Sequence, residues 1–328
     1  MSATFTVHTA TDLVALAPLV LGFEPTESVM IETFGGFAGP FHARVDLPAT
    51  GDAQREVTEI LVGAALRNGV TQVAVLVYGA DASRARAQAR RCERALRAAR
   101  IEVLAVLHVT PERYFVVARG TDDREGTPYD VSTHPFTSQW VLEGRVVRSS
   151  REELAATLRR ADPAEVRVVD EAVERLVRDL RAVPAGGTAA ATGADARWLR
   201  GRVRRFLRTG EAPTAVEAAR ILVLCLDAEL RDVLWSGITR EDAARHVELW
   251  SDLVRRAPDD LLPEAAGVLA LAAWLAGDGA LAWCAIERAK EVGAETFLTR
   301  HVGEILTAAI PPTVWRPIPD DELPVLRA

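Results

Sequence analysis

The chain is nearly without lysine: Lys290 is the only one in 328 residues, and the other 38 basic residues are arginine. A phosphate-binding loop of the GxxxxGK[ST] type needs a lysine directly after its glycines, and Lys290 sits in AIERAKEVG instead. Schiff-base chemistry has the same single residue to draw on. Cysteine is scarce as well. Cys92, Cys225 and Cys284 are far apart and form no CxxC pair, so neither a structural zinc site nor a thioredoxin-like centre is indicated. Sparse cysteine fits a reducing compartment. Long apolar runs are missing, the N-terminus has no basic-then-apolar leader, and a cytoplasmic protein is expected. Net charge is -7, so no global basic field draws nucleic acid. No GxSxG, HExxH or cysteine-nucleophile signature is present, and no cofactor motif is found.

What is present divides into two kinds of pattern. Residues 1–148 alternate between strand and helix signals, which predicts an α/β domain with a mixed, mostly buried sheet. FTVH (5–8) reads as a short strand. TDLVALAPLVLG (11–22) reads as a helix capped at Thr11 or Asp12, with Pro18 kinking it or starting a fresh turn. SVMIETF (28–34) and FHARVDLP (41–48) flank GGFAGP as a hairpin. In the second strand Phe41, Ala43, Val45 and Leu47 share one face, while His42, Arg44 and Asp46 share the other. The polar face, with His8, is a candidate polar cluster, but nothing in the spacing makes it a metal site. QVAVLVYG (72–79) and IEVLAVLHV (101–109) are apolar on both faces and flank the helix 83–100, a parallel strand-helix-strand unit. ERYFVVARG (112–120) turns back antiparallel. Residues 121–139 read as a long polar loop.

The second half is helical in period. Connecting helices span 149–183, with a Ser150-to-Glu153 capping box, and a small-residue linker spans 184–193. A helical bundle spans 194–310, and a Pro-rich tail spans 311–328 with Trp315 set against the bundle. Within it, AAWLAGDGALAWCAIERA places Trp274, Gly277, Ala282, Ala285 and Ala289 much as a tetratricopeptide hairpin does. The expected architecture is therefore an α/β domain followed by an all-α, repeat-like bundle.

Several motifs, in order, carry a resemblance: LAPLVLGFEPTESVMI, FHARVDLP, GTPYDV, SREEL, LAAWLAGDGALAWCAIERA and PPTVW. Together they resemble the actinobacterial family called domain of unknown function 4192, from about Asp12 to Trp315. The resemblance implies fold and origin but no mechanism, and no catalytic residue is carried over. It also implies cysteines in the loop after the YFVVARG strand, and this chain has none there. The LGFEPTES stretch is accounted for by turn chemistry, with Gly22 as a left-handed helix end, Pro25 as a stop and Ser28 opening the strand; a ligand-contacting loop is the alternative reading.

Three functional expectations follow. The first is a non-enzymatic interaction module, in which the helical bundle binds a protein partner. The second is a small-ligand sensor or enzyme at the carboxyl ends of the parallel strands, where Asp81, Ser83, His108 and Arg113 lie and the loop residues Tyr129, Asp130 and His134 could close. Against it, Asp81 or Ser83 is a plain helix cap and His108 a satisfied core histidine. The third is nucleic-acid binding through Arg200, Arg204, Arg205 and Arg208, against which a solvated face paired with Asp and Glu is the usual explanation.

Overall fold

The computed structural model describes residues 5–37, 41–117, 123–142, 146–160, 162–182, 189–293 and 295–327. The chain forms two compact units, Met1–Arg151 with Ala308–Thr313, and Glu152–Thr307 with Val314–Ala328. The first is a mixed α/β unit and the second is helical.

The first unit opens with α1 (Ala10–Leu21), which is apolar all round and accordingly buried from Leu13 to Leu19 and at Leu21. Its cap is Thr9, two or three residues before the expected Thr11 or Asp12, because Asp12 acts from the third helical position. The Thr9 hydroxyl accepts from Asp12 N at 3.1 Å, and the Asp12 carboxylate accepts from the His8 and Thr9 amides. Residues 5–8 therefore lead into this cap and carry no strand, contrary to the reading of FTVH. The helix runs through Pro18 and ends at Gly22, whose φ of 76° is the left-handed value glycine adopts most readily.

Strands β1 (Ser28–Phe34), β2 (His42–Asp46), β3 (Gln72–Tyr78), β4 (Glu102–Val109), β5 (Arg113–Val116) and β6 (Thr127–Pro128) build one six-stranded sheet in the order β2-β1-β3-β4-β5-β6. Only β3 and β4 are parallel; every other neighbour is antiparallel. Helices α2 (Gly51–Arg67) and α3 (Ala82–Ala98) cover one face. There Val29, Ile31, Val73, Val75, Val77 and Val106 pack with Leu61, Ala85, Ala89 and Leu96, and Phe41, Ala43 and Val45 join from β2. Each buried valine contributes on the order of 1.5–3 kcal/mol. Helix α1 contacts β4 and lies away from this core, beside α4 (Pro135–Leu142). The stretch 121–139 is thus not one irregular loop, since it holds β6 and starts α4; Thr121 and Asp122 lie outside the described residues.

The helical unit contains α5 (Arg151–Ala156, whose first residue belongs to the other unit), α6 (Pro163–Ala182), α7 (Ala189–Thr209), α8 (Ala215–Leu224), α9 (Ala228–Trp235), α10 (Ala243–Arg256), α11 (Leu262–Leu275), α12 (Gly279–Glu291), α13 (Phe297–Thr307) and α14 (Pro324–Arg327). Half of the expected linker is helix: α7 starts at Ala189, where five of the eight residues in AAATGADA are alanine, the strongest helix former, and residues 183–188 lie outside the described residues. The expected α11–α12 hairpin is present, and α11 is buried throughout. A Cβ at Gly267 would stand 2.9 Å from Leu298 Cβ, so a residue without one lets α11 and α13 approach. The hairpin's small-residue spacing does not recur in the other helices, and the unit is described as a helical bundle. Trp315 docks on it, with its indole N–H on Ile238 O at 2.8 Å and its ring beside Trp235 and Trp274. No described helix is long and apolar enough to cross a membrane.

Candidate functional site

The carboxyl ends of β3 and β4 bring Asp81, Ser83 and His108 to one edge, but two of the three are held in structural bonds. Asp81 caps α3, accepting from Ser83 N at 2.9 Å and Arg84 N at 3.1 Å, while the Ser83 side chain is exposed. The anion position at this helix start is taken from within the chain. Glu27 accepts from Ala80 N at 2.8 Å and pairs with Arg84, and it does so from a positive φ of 37°. His108 is 2 % exposed; its Nε2 meets Gly79 O at 2.9 Å and its ring stacks on Phe115. Arg113 donates to the carbonyls of Glu125 and Gly126, both at 2.8 Å. Asp130 accepts from Ser132 N, and His134 Nε2 lies 3.1 Å from Asp12 Oδ1. The loop is tied down at each of these points. Burial acts to raise the Asp12 carboxyl, but the His8 and Thr9 amides and His134 hold it below its ordinary value.

The arginine row on α7 is closed in a similar way. Arg200 and Arg204 share Asp320 at 2.7 Å each, and Arg205 grips Glu211 with two nitrogens. Arg208 is exposed. Phosphate recognition requires free cations, and three of the four candidates already face carboxylates.

A different group of residues converges on the sheet face opposite α2 and α3. Residues directly opposite across a sheet project to the same side. One such row crosses all six strands: Asp46, Ser28, Tyr78, Val109, Tyr114 and Thr127. Two residues along each strand come Arg44, Met30, Leu76 and Leu107, and two further come His42, Glu32, Ala74 and Ala105. Glu32 therefore stands between His42 and two alanines, with little side-chain bulk on the alanine side.

The polar groups of this face are buried and short of partners. Ser28 and Glu32 are both 0 % exposed and Tyr78 is 7 % exposed. The Ser28 hydroxyl, both Glu32 carboxyl oxygens and the Tyr78 hydroxyl make no hydrogen bond within the protein. Burial pushes the Glu32 carboxyl well above the usual carboxylate range. It pushes the Tyr78 phenol up as well, and the charges of Glu32, Tyr129 and Glu24 add to that effect, so these four groups lie within electrostatic reach of one another. Tyr129 is held at about 12 by burial and by Glu24, and its hydroxyl donates to Thr110 O at 2.8 Å. Its ring centroid is 6.3 Å from that of Tyr114. All three tyrosines of the chain thus lie at this end of the sheet. On β2, burial lowers His42 to about 4, leaving it neutral at pH 7. Arg44 turns towards Asp46 and Thr26 O, with its guanidinium 5.8 Å from the Phe23 ring.

Of these residues, the sequence reading singled out Tyr129, His42, Arg44 and Asp46, met Glu24 and Ser28 only within the LGFEPTES turn, and passed over Glu32 and Tyr78. A glutamate inside the apolar strand SVMIETF was the available signal. Among the described residues no group of three or more His, Cys, Asp or Glu could hold a metal ion. No curated protein and no solved structure matches the chain. A family model described as a domain of unknown function, DUF4192, matches residues 11–313, and the chain belongs to that family.

Proposed function

We propose that the α/β unit binds a small molecule on the sheet face that carries Ser28, Glu32 and Tyr78. The observation behind this reading is Glu32, a fully buried carboxyl group with neither oxygen bonded. A buried polar group without a partner costs about 1–3 kcal/mol, and more when it is charged. Glu32, Tyr78 and Ser28 together cost several kcal/mol, a large share of the roughly 5–15 kcal/mol by which domains are stable. An apolar residue of similar size at any of the three positions would be cheaper for folding alone. Partners supplied by a ligand offset that cost.

The site differs from the strand-end crevice expected from the sequence, where Asp81, His108 and Arg113 are each bonded to nearby backbone atoms. The nucleic-acid reading of α7 has less behind it, because three of its four arginines, Arg200, Arg204 and Arg205, already face Asp320 and Glu211. The test is native mass spectrometry of the purified full chain, beside its Glu32→Gln and Tyr78→Phe variants. A small-molecule adduct that is lost on denaturation and absent from both variants supports the reading. An adduct retained equally by all three places the ligand elsewhere.

A further inference from the structure

The donor and acceptor balance of this face narrows the chemistry of its occupant. Its unbonded groups are mostly ones that can accept: two carboxyl oxygens on Glu32, the hydroxyl oxygens of Ser28 and Tyr78, and His42 Nδ1, against one fixed donor, Arg44 Nε. A second carboxylate, Glu24, is exposed and within electrostatic reach of Tyr78 and Tyr129. Among the described strand residues of this face, the one arginine already faces a carboxylate. Arg44, the arginine placed on the same sheet face, is turned to Asp46 and to Thr26 O, and Arg113 is held by two carbonyls. An anion would meet Glu24 and the Glu32 carboxyl group, and the Arg44 charge is already offset by Asp46. The rings of Tyr114 and Tyr129 add π faces, which attract cations and repel anions. The net charge of -7 raises the local concentration of cations in the same direction.

Resting on the small-molecule reading above, we infer that the occupant is a small organic cation, an ammonium or guanidinium group on an apolar body, whose N–H groups bond Glu32 and the Ser28 and Tyr78 hydroxyl oxygens. The carboxylate supplies the counter-charge, the hydroxyls fix orientation, and Ala74 and Ala105 are the short side chains next to Glu32 along its row. Charge-assisted N–H···O⁻ bonds are about twice as strong as neutral ones, so Glu32 dominates the affinity.

The experiment is a thermal-shift and calorimetric titration of the full chain with four probes. Phenylguanidinium and benzylammonium carry the proposed group, benzyl alcohol is the neutral counterpart, and benzoate is the anion. The two cations are expected to bind and to raise the melting temperature. Glu32→Gln weakens them by about ten- to a hundredfold, the worth of a hydrogen bond to a charged group, and Tyr78→Phe weakens them less. Binding by benzyl alcohol or benzoate in place of the cations, abolished by Glu32→Gln, overturns the cation assignment and leaves the site standing. The absence of any probe binding that depends on Glu32 or Tyr78 overturns both. Circular dichroism verifies that each variant folds, and Tyr78→Phe serves alone should Glu32→Gln not fold.

Discussion

Glu32→Gln isolates the titration of one buried carboxyl group. In the folded chain burial raises the Glu32 pKa well above its ordinary value, whereas in the unfolded chain it titrates near about 4.3. Below the unfolded value both states hold the proton, and the group has no effect on pH dependence. Above it the unfolded state has released the proton and the folded state retains it. Stability is therefore fully present at low pH and is lost as pH rises towards the folded pKa. The slope is at most about 1.4 kcal/mol per pH unit for one proton, and it holds between the unfolded and the folded pKa. Glutamine has a similar shape and no proton to lose. The assay is urea unfolding of both proteins across that pH range. The variant gains on the wild type as pH rises, and the gap widens with the stated slope. Parallel profiles, offset by a constant or not at all, refute the claim that Glu32 is buried without a partner. Added phenylguanidinium flattens the wild-type slope, because a bound cation stabilises the ionised form.

His42 gives the opposite sign. Burial lowers its pKa to about 4, so its contribution is full above the unfolded value near 6.5 and is lost as pH falls towards 4. His42→Gln removes at most about 3 kcal/mol of acid sensitivity, read from unfolding between pH 7 and pH 4. Gly22→Ala meets no atom within 4 Å, so its cost is the left-handed backbone alone, about 1–2 kcal/mol by urea midpoint. A larger loss would mean that the α1 end is more tightly packed than this geometry indicates. Asp320→Ala leaves Arg200, whose side chain is 12 % exposed, without its counter-charge. We expect a loss of at least about 1–3 kcal/mol in the helical unit, and an unchanged melting temperature would show that the pair carries no weight.

Much of the sheet was legible because its signals are local. QVAVLVY and EVLAVLHV are apolar on both faces, as strands buried on both sides must be, and the period-2 split of β2 separated Phe41, Ala43 and Val45 from His42, Arg44 and Asp46. The left-handed end at Gly22 was legible for the same reason. The start of α1 was misplaced because Thr9, Thr11 and Asp12 are all capping residues, and only the bonds made by Asp12 decide among them. The candidate face was legible only in fragments. His42, Arg44 and Asp46 were visible on one strand, but Ser28 meets Tyr78 and Tyr114 only through the strand order. That order joins segments some 50 and 86 residues apart, by pairings that no local pattern encodes. Conversely, Asp81 and His108 looked available because sequence shows side chains and not the Glu27 and Gly79 atoms that lie beside them.

Residues Ala308–Thr313 belong to the first unit, where Arg67 Nε reaches Ala308 O at 2.9 Å and Asn68 Nδ2 reaches Ala309 O at 2.8 Å. The helical unit is therefore spliced into the α/β unit along the chain. On the ribosome the α/β unit completes itself only after about 150 intervening residues have been made, at roughly 5–20 residues per second. During that interval the Asn68 side chain at the end of α2 lacks its Ala309 partner. A fragment ending at Arg151 would remain in that unfinished state, so a boundary chosen from the first half alone cuts through a folded body.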